Sequence, residues 1–259
     1  MADKRIALVT GASSGIGLAV TRSLAEAGNA VYGCARNAEN MATTVKQLTE
    51  DGLDVDGGQC DVTSTDQVTA AVDAAIARYG RIDILVNNAG RGGGGETAKL
   101  DEGMWLDVVD TNLNGVFRMT RAVLARGGML DRGHGRIINI ASTGGKQGVM
   151  LAAPYSASKH GVVGFTKAVG IELAKTGVTV NAVCPGYAET PMAKRVRSGY
   201  ASYWGISEET VHERFNAKIP LGRYSTPQEV ASLVSYLVTD TAASITAQAL
   251  NVCGGLGNY

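Results

Sequence analysis

Short apolar runs alternate with longer amphipathic stretches along the whole chain. The runs are Ile6-Ala7-Leu8-Val9, Ala30-Val31-Tyr32-Gly33-Cys34, Val55 to Cys60, Ile82 to Val86, Ile137 to Ile140, Val178 to Val183 and Ala249 to Val252. Most are short and do not alternate strictly, as expected for strands covered on both faces. Between them the 3.6-residue period predicts helices at about 15–27, 38–51, 64–79, 103–126, 153–175 and 226–238. This repetition predicts an α/β fold: a doubly wound, parallel, seven-stranded sheet with right-handed crossovers, in a single domain over 1–259.

Residues 186–222 break the rhythm. They place Met192, Val196, Tyr200, Tyr203, Trp204 and Phe215 among many charges. The expectation is a pair of short helices forming a lid over a cleft. The alternative is an amphipathic pair that completes the core.

Composition narrows the function classes. Lys and Arg number 24 and so do Asp and Glu, so the net charge is zero. That balance argues against a nucleic-acid partner, which usually requires a basic excess. No apolar run approaches the 18 residues of a membrane span, and the N-terminus lacks the pattern of a signal peptide. Cys34, Cys60, Cys184 and Cys253 form no CxxC pair, so metal-ligand spacing is absent and no metal is expected. They read as buried free thiols, and the chain as a soluble, cytoplasmic protein. Glycine is the outlier, at 34 of 259 residues against a usual share of roughly 7%.

Part of that glycine falls between the first strand and the first helix, in Thr10-Gly11-Ala12-Ser13-Ser14-Gly15-Ile16-Gly17. A glycine turn there lets the backbone approach a pyrophosphate, and the helix N-terminus supplies free N–H groups. The spacing is GxxxGxG, so the motif gains force from its Rossmann-type context. After the second strand a carboxylate would select NAD, but the chain has Arg36, which can pair with a 2′-phosphate. NADPH/NADP+ is therefore the expected cofactor, unless Arg36 is only a solvated surface residue. Asp61-Val62 follows the third strand, where Asp61 would bind the adenine amino group or cap the helix starting near Ser64.

Tyr155 and Lys159 stand four residues apart, on one face of a predicted helix. An ammonium near a phenol favours phenolate, so Lys159 is expected to lower the Tyr155 pKa. Such a tyrosine exchanges protons with a substrate oxygen. Ser142, at the end of the fifth strand, can donate to the same oxygen. Asn112 is a poor helix former inside a helical pattern. Its side chain, or a carbonyl freed by a kink, would hold a water relaying protons to Lys159.

These residues identify a resemblance to the short-chain dehydrogenase/reductase family over essentially the full length. It is carried by TGASSGIG (10–17), Asp61, Asn87-Asn88-Ala89-Gly90, Asn112, Ser142, Tyr155-x-x-x-Lys159, and Pro185-Gly186 followed by Thr190. The resemblance implies a catalytic tetrad of Asn112, Ser142, Tyr155 and Lys159. It implies cofactor contacts from Thr10, Gly11, Ser13, Ser14, Gly15, Ile16 and Gly17, from Arg36, Asp61 and Val62, and from Asn88, Ala89 and Gly90. Tyr155 and Lys159, with Pro185, Gly186 and Thr190, complete that set. A homotetramer is implied as well.

STGGKQGV (142–149), AAPYSASKHGVVGFTKA (152–168), VNAVCPG (180–186) and ALNVCGGLGNY (249–259) look like type II aromatic polyketide ketoreductases. That likeness implies NADPH-dependent reduction of one ketone, typically at carbon 9, of a poly-β-ketone on an acyl carrier protein. The other polyketide synthase components would be partners. Gly93, Gly94, Ser142, Gln147, Val149, Leu151, Tyr155, Tyr200 and Trp204 are the expected substrate contacts. Arg36 and Arg91 would attract the carrier's phosphopantetheine arm. One departure is Arg91-Gly92-Gly93-Gly94, where the group usually reads Arg-Pro-Gly-Gly, an element linked to stereochemical control. The alternatives are a 3-oxoacyl-[acyl-carrier-protein] reductase of fatty-acid synthesis, a small-molecule alcohol dehydrogenase and a non-catalytic NADP(H)-binding sensor.

Overall fold

The structure, a computed structural model, describes residues 4–259. Seven parallel strands form one sheet in the order β3-β2-β1-β4-β5-β6-β7. They are β1 (Ile6–Thr10), β2 (Ala30–Ala35), β3 (Val55–Gln59), β4 (Ile84–Asn87), β5 (Gly135–Ile140), β6 (Val178–Pro185) and β7 (Ala249–Val252). The five inner strands are buried at every residue, which explains their unbroken apolar runs. The edge strands β3 and β7 are only partly buried.

Helices cover both faces. One apolar cluster joins Val20 and Leu24 of α1 (Gly15–Glu26), Met41 and Leu48 of α2 (Ala38–Glu50) and Val230, Val234 and Leu237 of α10 (Pro227–Leu237) to the sheet. The opposite cluster takes Val68 and Val72 from α3 (Thr65–Tyr79) and Met119 and Val123 from α5 (Gly115–Arg126). Inside the sheet, the Asn87 side chain donates to Thr120 Oγ1 (3.0 Å) and Asn139 Oδ1 (2.8 Å), and Asn139 donates to Thr166 Oγ1 (2.9 Å). This buried chain ties the two central strands to α5 and to α7 (Ala153–Glu172). Because its donors are partnered, the hydrogen bonds offset the cost of burying these polar groups while fixing the elements' relative position.

The predicted helix over 103–126 is divided. α4 (Glu102–Val109) runs into a wide π turn at Asp110–Asn114, and α5 follows. The extra residue of a π turn shifts which side chains face inward, and Asn112 becomes fully buried. A short α6 (Met129–Arg132) precedes β5 and had no signal in the pattern. The expected helix pair is present as α8 (Pro191–Trp204) and α9 (Glu208–Asn216). Their buried residues, Ala201, Val211 and Phe215, pack with Ile219 and Tyr224 in a separate small cluster. All four cysteines are buried free thiols. Among the described residues no helix is long and apolar enough to cross a membrane.

Candidate active site

The strand order reverses between β1 and β4, opening a crevice at their C-terminal ends. The glycine loop lies there. Gly11 and Gly15 have φ of 65° and 55°. A Cβ on Gly17 would fall 2.1 Å from the Gly11 carbonyl oxygen, so only glycine lets α1 start this close to β1. Ser14 makes no side-chain cap and the first turn of α1 has no acidic residue. The first amides of α1, at Gly15, Ile16 and Gly17, thus face the crevice as an anion site.

Thr10 and Asn88 turn out to be bound to each other. Thr10 Oγ1 accepts from the Asn88 and Ala89 amides, both at 2.9 Å. Asn88 Nδ2 donates to the Thr10 and Gly11 carbonyls at 3.0 and 3.2 Å. These residues shape the loop from β4. From the other side, the Thr190 methyl lies 3.3 Å from where a Gly15 Cβ would sit. Thr190 caps α8, with Oγ1 accepting from Ala193 N at 3.1 Å. Pro185 ends β6, and Gly186 donates to the Val252 carbonyl at 3.0 Å.

Arg36 follows the last residue of β2 and is exposed. Among the described residues its guanidinium has no partner, as a 2′-phosphate site requires. The two readings of Asp61 separate. Ser64 caps α3, its Oγ accepting from Gln67 N at 3.3 Å. Asp61 Oδ1 instead accepts from Thr63 N (2.9 Å) and Thr63 Oγ1 (2.7 Å). Val62 is buried against the start of α5, 2.7 Å from a Gly115 Cβ position. The open amides, the glycine cradle and the unpaired arginine together fit a dinucleotide with a 2′-phosphate.

α7 presents Tyr155 and Lys159 one turn apart. Lys159 Nζ donates to the Ile140 carbonyl at 2.8 Å and lies 5.9 Å from the Tyr155 ring centroid. A Cβ on Gly90 would stand 3.7 Å from Lys159 Nζ and 3.1 Å from Asn112 Oδ1, so all three meet at the mouth of β4. Ser142 follows β5 and its Oγ accepts from the Gly144 amide at 3.0 Å. That bond leaves the Ser142 hydrogen for the phenol or a substrate oxygen.

The electrostatics differ from the sequence-based expectation. Burial raises the Tyr155 phenol above its ordinary value, and the hydrogen bond from Ser142 only partly opposes this. Burial also lowers the Lys159 ammonium to about 8. Desolvation, which the sequence does not display, is the leading cause, and Ser142 rather than Lys159 is what opposes it. Asn112 also behaves differently. Its side chain is taken up by the Arg91 backbone and by Ser158 Oγ (3.1 Å). Ser158 itself donates to the Tyr155 carbonyl at 2.8 Å. Sequence reasoning passed over Ser158, although it sits inside the Tyr-x-x-x-Lys motif.

Some of the expected substrate residues are neighbours: Gly94 lies against Leu151, and Val149, Ser142 and Tyr155 all border Gly144, whereas Trp204 packs within the helix pair. A Cβ on Gly94 would overlap the Leu151 carbonyl oxygen at 1.9 Å, and Gly95 N donates to that oxygen at 2.8 Å. Leu151 has φ 59°, a strained value for a branched residue. Gly93 backs onto Met104 and Val108. Val149 approaches Gly144 beside Tyr155, and Gln147 lies in the same loop. Tyr200 O–H donates to the Met150 carbonyl, latching α8 to this loop. Trp204 stacks edge-on to Phe215, within the helix pair. A nearby cleft of about 330 Å³ is lined by Gly94, Gly95, Leu100, Met104 and Tyr203 and by the charged Glu96, Lys99 and Asp101. Tyr203 and Met104 were missed as candidates, although Tyr203 belongs to the same aromatic run as Tyr200 and Trp204. The Arg91 guanidinium is ion-paired with Asp107 at a partly exposed position.

The sequence model of the family described as short chain dehydrogenase matches residues 5–201. The chain belongs to that family of oxidoreductases. Its relatives include a ketoacyl reductase assigned to the monensin polyketide synthase of Streptomyces virginiae, 67% identical over 98% of both chains. One assigned to the granaticin polyketide synthase of Streptomyces violaceoruber is 63% identical over 100% of this chain and 95% of its own. A crystal structure of a single-site variant of actinorhodin polyketide ketoreductase with NADPH superposes with a TM-score of 0.97. It shares 61% identity and covers 99% of this chain and 98% of its own.

Proposed function

We propose that this chain is an NADPH-dependent ketoreductase that reduces one ketone, at carbon 9, of a poly-β-ketone carried on an acyl carrier protein in aromatic polyketide biosynthesis. The reading is supported above all by Tyr155 and Ser142 flanking Gly144 with Lys159 Nζ beside Gly90, together with an α1 N-terminus without a side-chain cap and an Arg36 guanidinium unpaired among the described residues. The likeness to polyketide synthase reductases supports the substrate class.

When bound, NADPH supplies the hydride that reduces the ketone carbon. Ser142, with its oxygen already held by Gly144 N, orients the ketone oxygen with its free hydrogen. Tyr155 donates the proton to that oxygen; its raised pKa keeps the phenol protonated at neutral pH. Lys159 supplies positive charge beneath the phenol and holds the nicotinamide ribose. The π turn at Asn112 leads replacement protons toward Lys159. The α1 amides hold the pyrophosphate, Arg36 the 2′-phosphate, Asp61 the adenine, and Pro185, Gly186 and Thr190 border the nicotinamide. Tyr200, Tyr203 and Trp204 form a lid over the polyketide.

The same reading includes one domain over 1–259, supported by α10 sharing its core with α1. It includes a homotetramer, supported by exposed Phe117 on α5, packed edge-on to Phe165 on α7. It includes a cytoplasmic location, supported by four unoxidised buried thiols. The decisive experiment is reconstitution with a minimal polyketide synthase. A carbon-9 hydroxyl in the product, lost with Tyr155→Phe, supports the proposal. Turnover of short β-ketoacyl thioesters alone would favour the fatty-acid alternative.

A further inference from the structure

The stretch from the last residues of β7 to Tyr259 has no part in the mechanism above, yet it folds back onto the turn that carries Ser142. Tyr259 O–H donates to the Thr143 carbonyl at 3.3 Å. The same peptide unit, Thr143 to Gly144, donates its N–H to Ser142 Oγ at 3.0 Å. A peptide unit is planar and rigid, so fixing its carbonyl fixes the direction of its N–H. Tyr259 thus touches one end of the group that orients the Ser142 hydroxyl at the other.

Further bonds hold the segment in this position. Lys146 Nζ donates to the Ala249 carbonyl (2.7 Å) and Asn251 Oδ1 (2.9 Å), and stands 5.5 Å from the Tyr259 ring centroid. Asn251 Nδ2 donates to the Gly257 carbonyl at 2.9 Å. Gly257 N in turn donates to Cys253 Sγ at 3.4 Å. The Thr143 carbonyl also accepts from the Lys146 and Gln147 amides, at 3.0 and 3.1 Å, so Tyr259 adds to a turn that is already formed.

We propose that Tyr259 and Lys146 are positioning residues for reduction: they brace the Thr143–Gly144 peptide and thereby aim the Ser142 hydroxyl. The inference rests on the catalytic roles of Ser142 and Tyr155 proposed above. A brace of this kind matters because small misplacements at a reacting centre reduce turnover steeply.

The test compares Tyr259→Phe in the wild-type and Ser142→Ala backgrounds, with trans-1-decalone and NADPH. Tyr259 is half exposed, so loss of its hydroxyl leaves folding intact. In the wild-type background, Tyr259→Phe is expected to lower kcat about 2- to 10-fold, the effect of one neutral hydrogen bond. KM for NADPH stays within about twofold, since nothing near the glycine loop moves. In alcohol oxidation the pH midpoint of kcat moves upward, because a misaimed Ser142 no longer lowers the Tyr155 pKa. Lys146→Met reproduces the kcat loss. In Ser142→Ala, Tyr259→Phe has no further effect. An equal loss in both backgrounds, or none in wild type, overturns the brace. Full turnover by Ser142→Ala alone overturns the role of Ser142 and the brace with it.

Discussion

The side chain of Asn112 grips both backbone groups of Arg91: Oδ1 accepts from Arg91 N at 2.8 Å and Nδ2 donates to the Arg91 carbonyl at 2.9 Å. With the bond to Ser158, this side chain joins the π turn, the loop after β4 and α7 at a fully buried point. Asn112→Ala would leave the part-buried Arg91 backbone groups without these partners, at roughly 1–3 kcal/mol each where water does not replace the bond. We expect a stability loss of about 2–4 kcal/mol by urea unfolding and a large fall in kcat. A loss within experimental error would mean that water replaces the amide.

Arg36 should decide cofactor preference. It is exposed and its guanidinium is unpaired among the described residues, so its removal disturbs nothing else. A charge-assisted bond to a 2′-phosphate contributes roughly 1.5–3 kcal/mol. Arg36→Gln is therefore expected to raise KM for NADPH about 10- to 100-fold and leave KM for NADH nearly unchanged. Equal changes for both cofactors would place the 2′-phosphate elsewhere.

The buried Lys159 ties stability to pH in a direction opposite to most ion-paired groups. Its pKa is about 8 in the fold against about 10.4 in an unfolded chain. Below pH 8 both states carry the proton, and the folded state bears the cost of a buried ammonium. Between about pH 8 and 10.4 the unfolded state binds more protons, so stability rises with pH. Lys159→Met should abolish reduction yet raise stability at pH 7 by about 1–3 kcal/mol, a gain that shrinks toward pH 10. In the wild type, kcat for reduction should fall above about pH 8 as the ammonium loses its charge. Calorimetry across pH 6–10 and a pH–rate profile check both; a variant less stable than wild type at pH 7 contradicts the account.

The elements most visible in the sequence are those set by local chemistry. The inner strands show as unbroken apolar runs because both faces are covered, and the glycine turn shows because no other residue fits at Gly17. Ser142, Tyr155 and Lys159 were recognisable as types at fixed spacing. What stayed hidden depends on tertiary surroundings. Asn112 stood out as a poor helix former, but its burial in a π turn and its bonds to Arg91 and Ser158 depend on groups distant in the chain. The ion pair of Arg91, in the loop after β4, with Asp107 on α4 has no signature in the sequence. The direction of the Tyr155 shift was misjudged because desolvation has no sequence signature. The role of 251–259 was hidden for the same reason, since its contacts are with a turn a hundred residues away.

The glycines after β4 differ in what they tolerate, and this bears on stereochemistry. A Cβ on Gly94 would meet the Leu151 carbonyl oxygen at 1.9 Å and the Ala152 Cα at 2.8 Å, both backbone atoms. Gly94→Ala must displace the strained Leu151 loop and with it Val149 and the Tyr200 latch. We expect kcat to fall more than tenfold, since loop shifts of about 1 Å at a reacting centre cost about that much or more. Gly92 is different: the nearest atom to its Cβ position is Val196 Cγ2 at 4.0 Å, and its φ is not positive. A Cβ is therefore accommodated there, and a proline would restrict the loop to one backbone state. Gly92→Pro should therefore keep kcat within about threefold while changing the ratio of the two alcohol enantiomers, because a stiffer rim admits fewer ketone orientations. Chiral chromatography of the alcohols from a bicyclic ketone reads this directly. An unchanged ratio would show that the groove's other wall, at Val149, Leu151 and Tyr200, sets the face of attack.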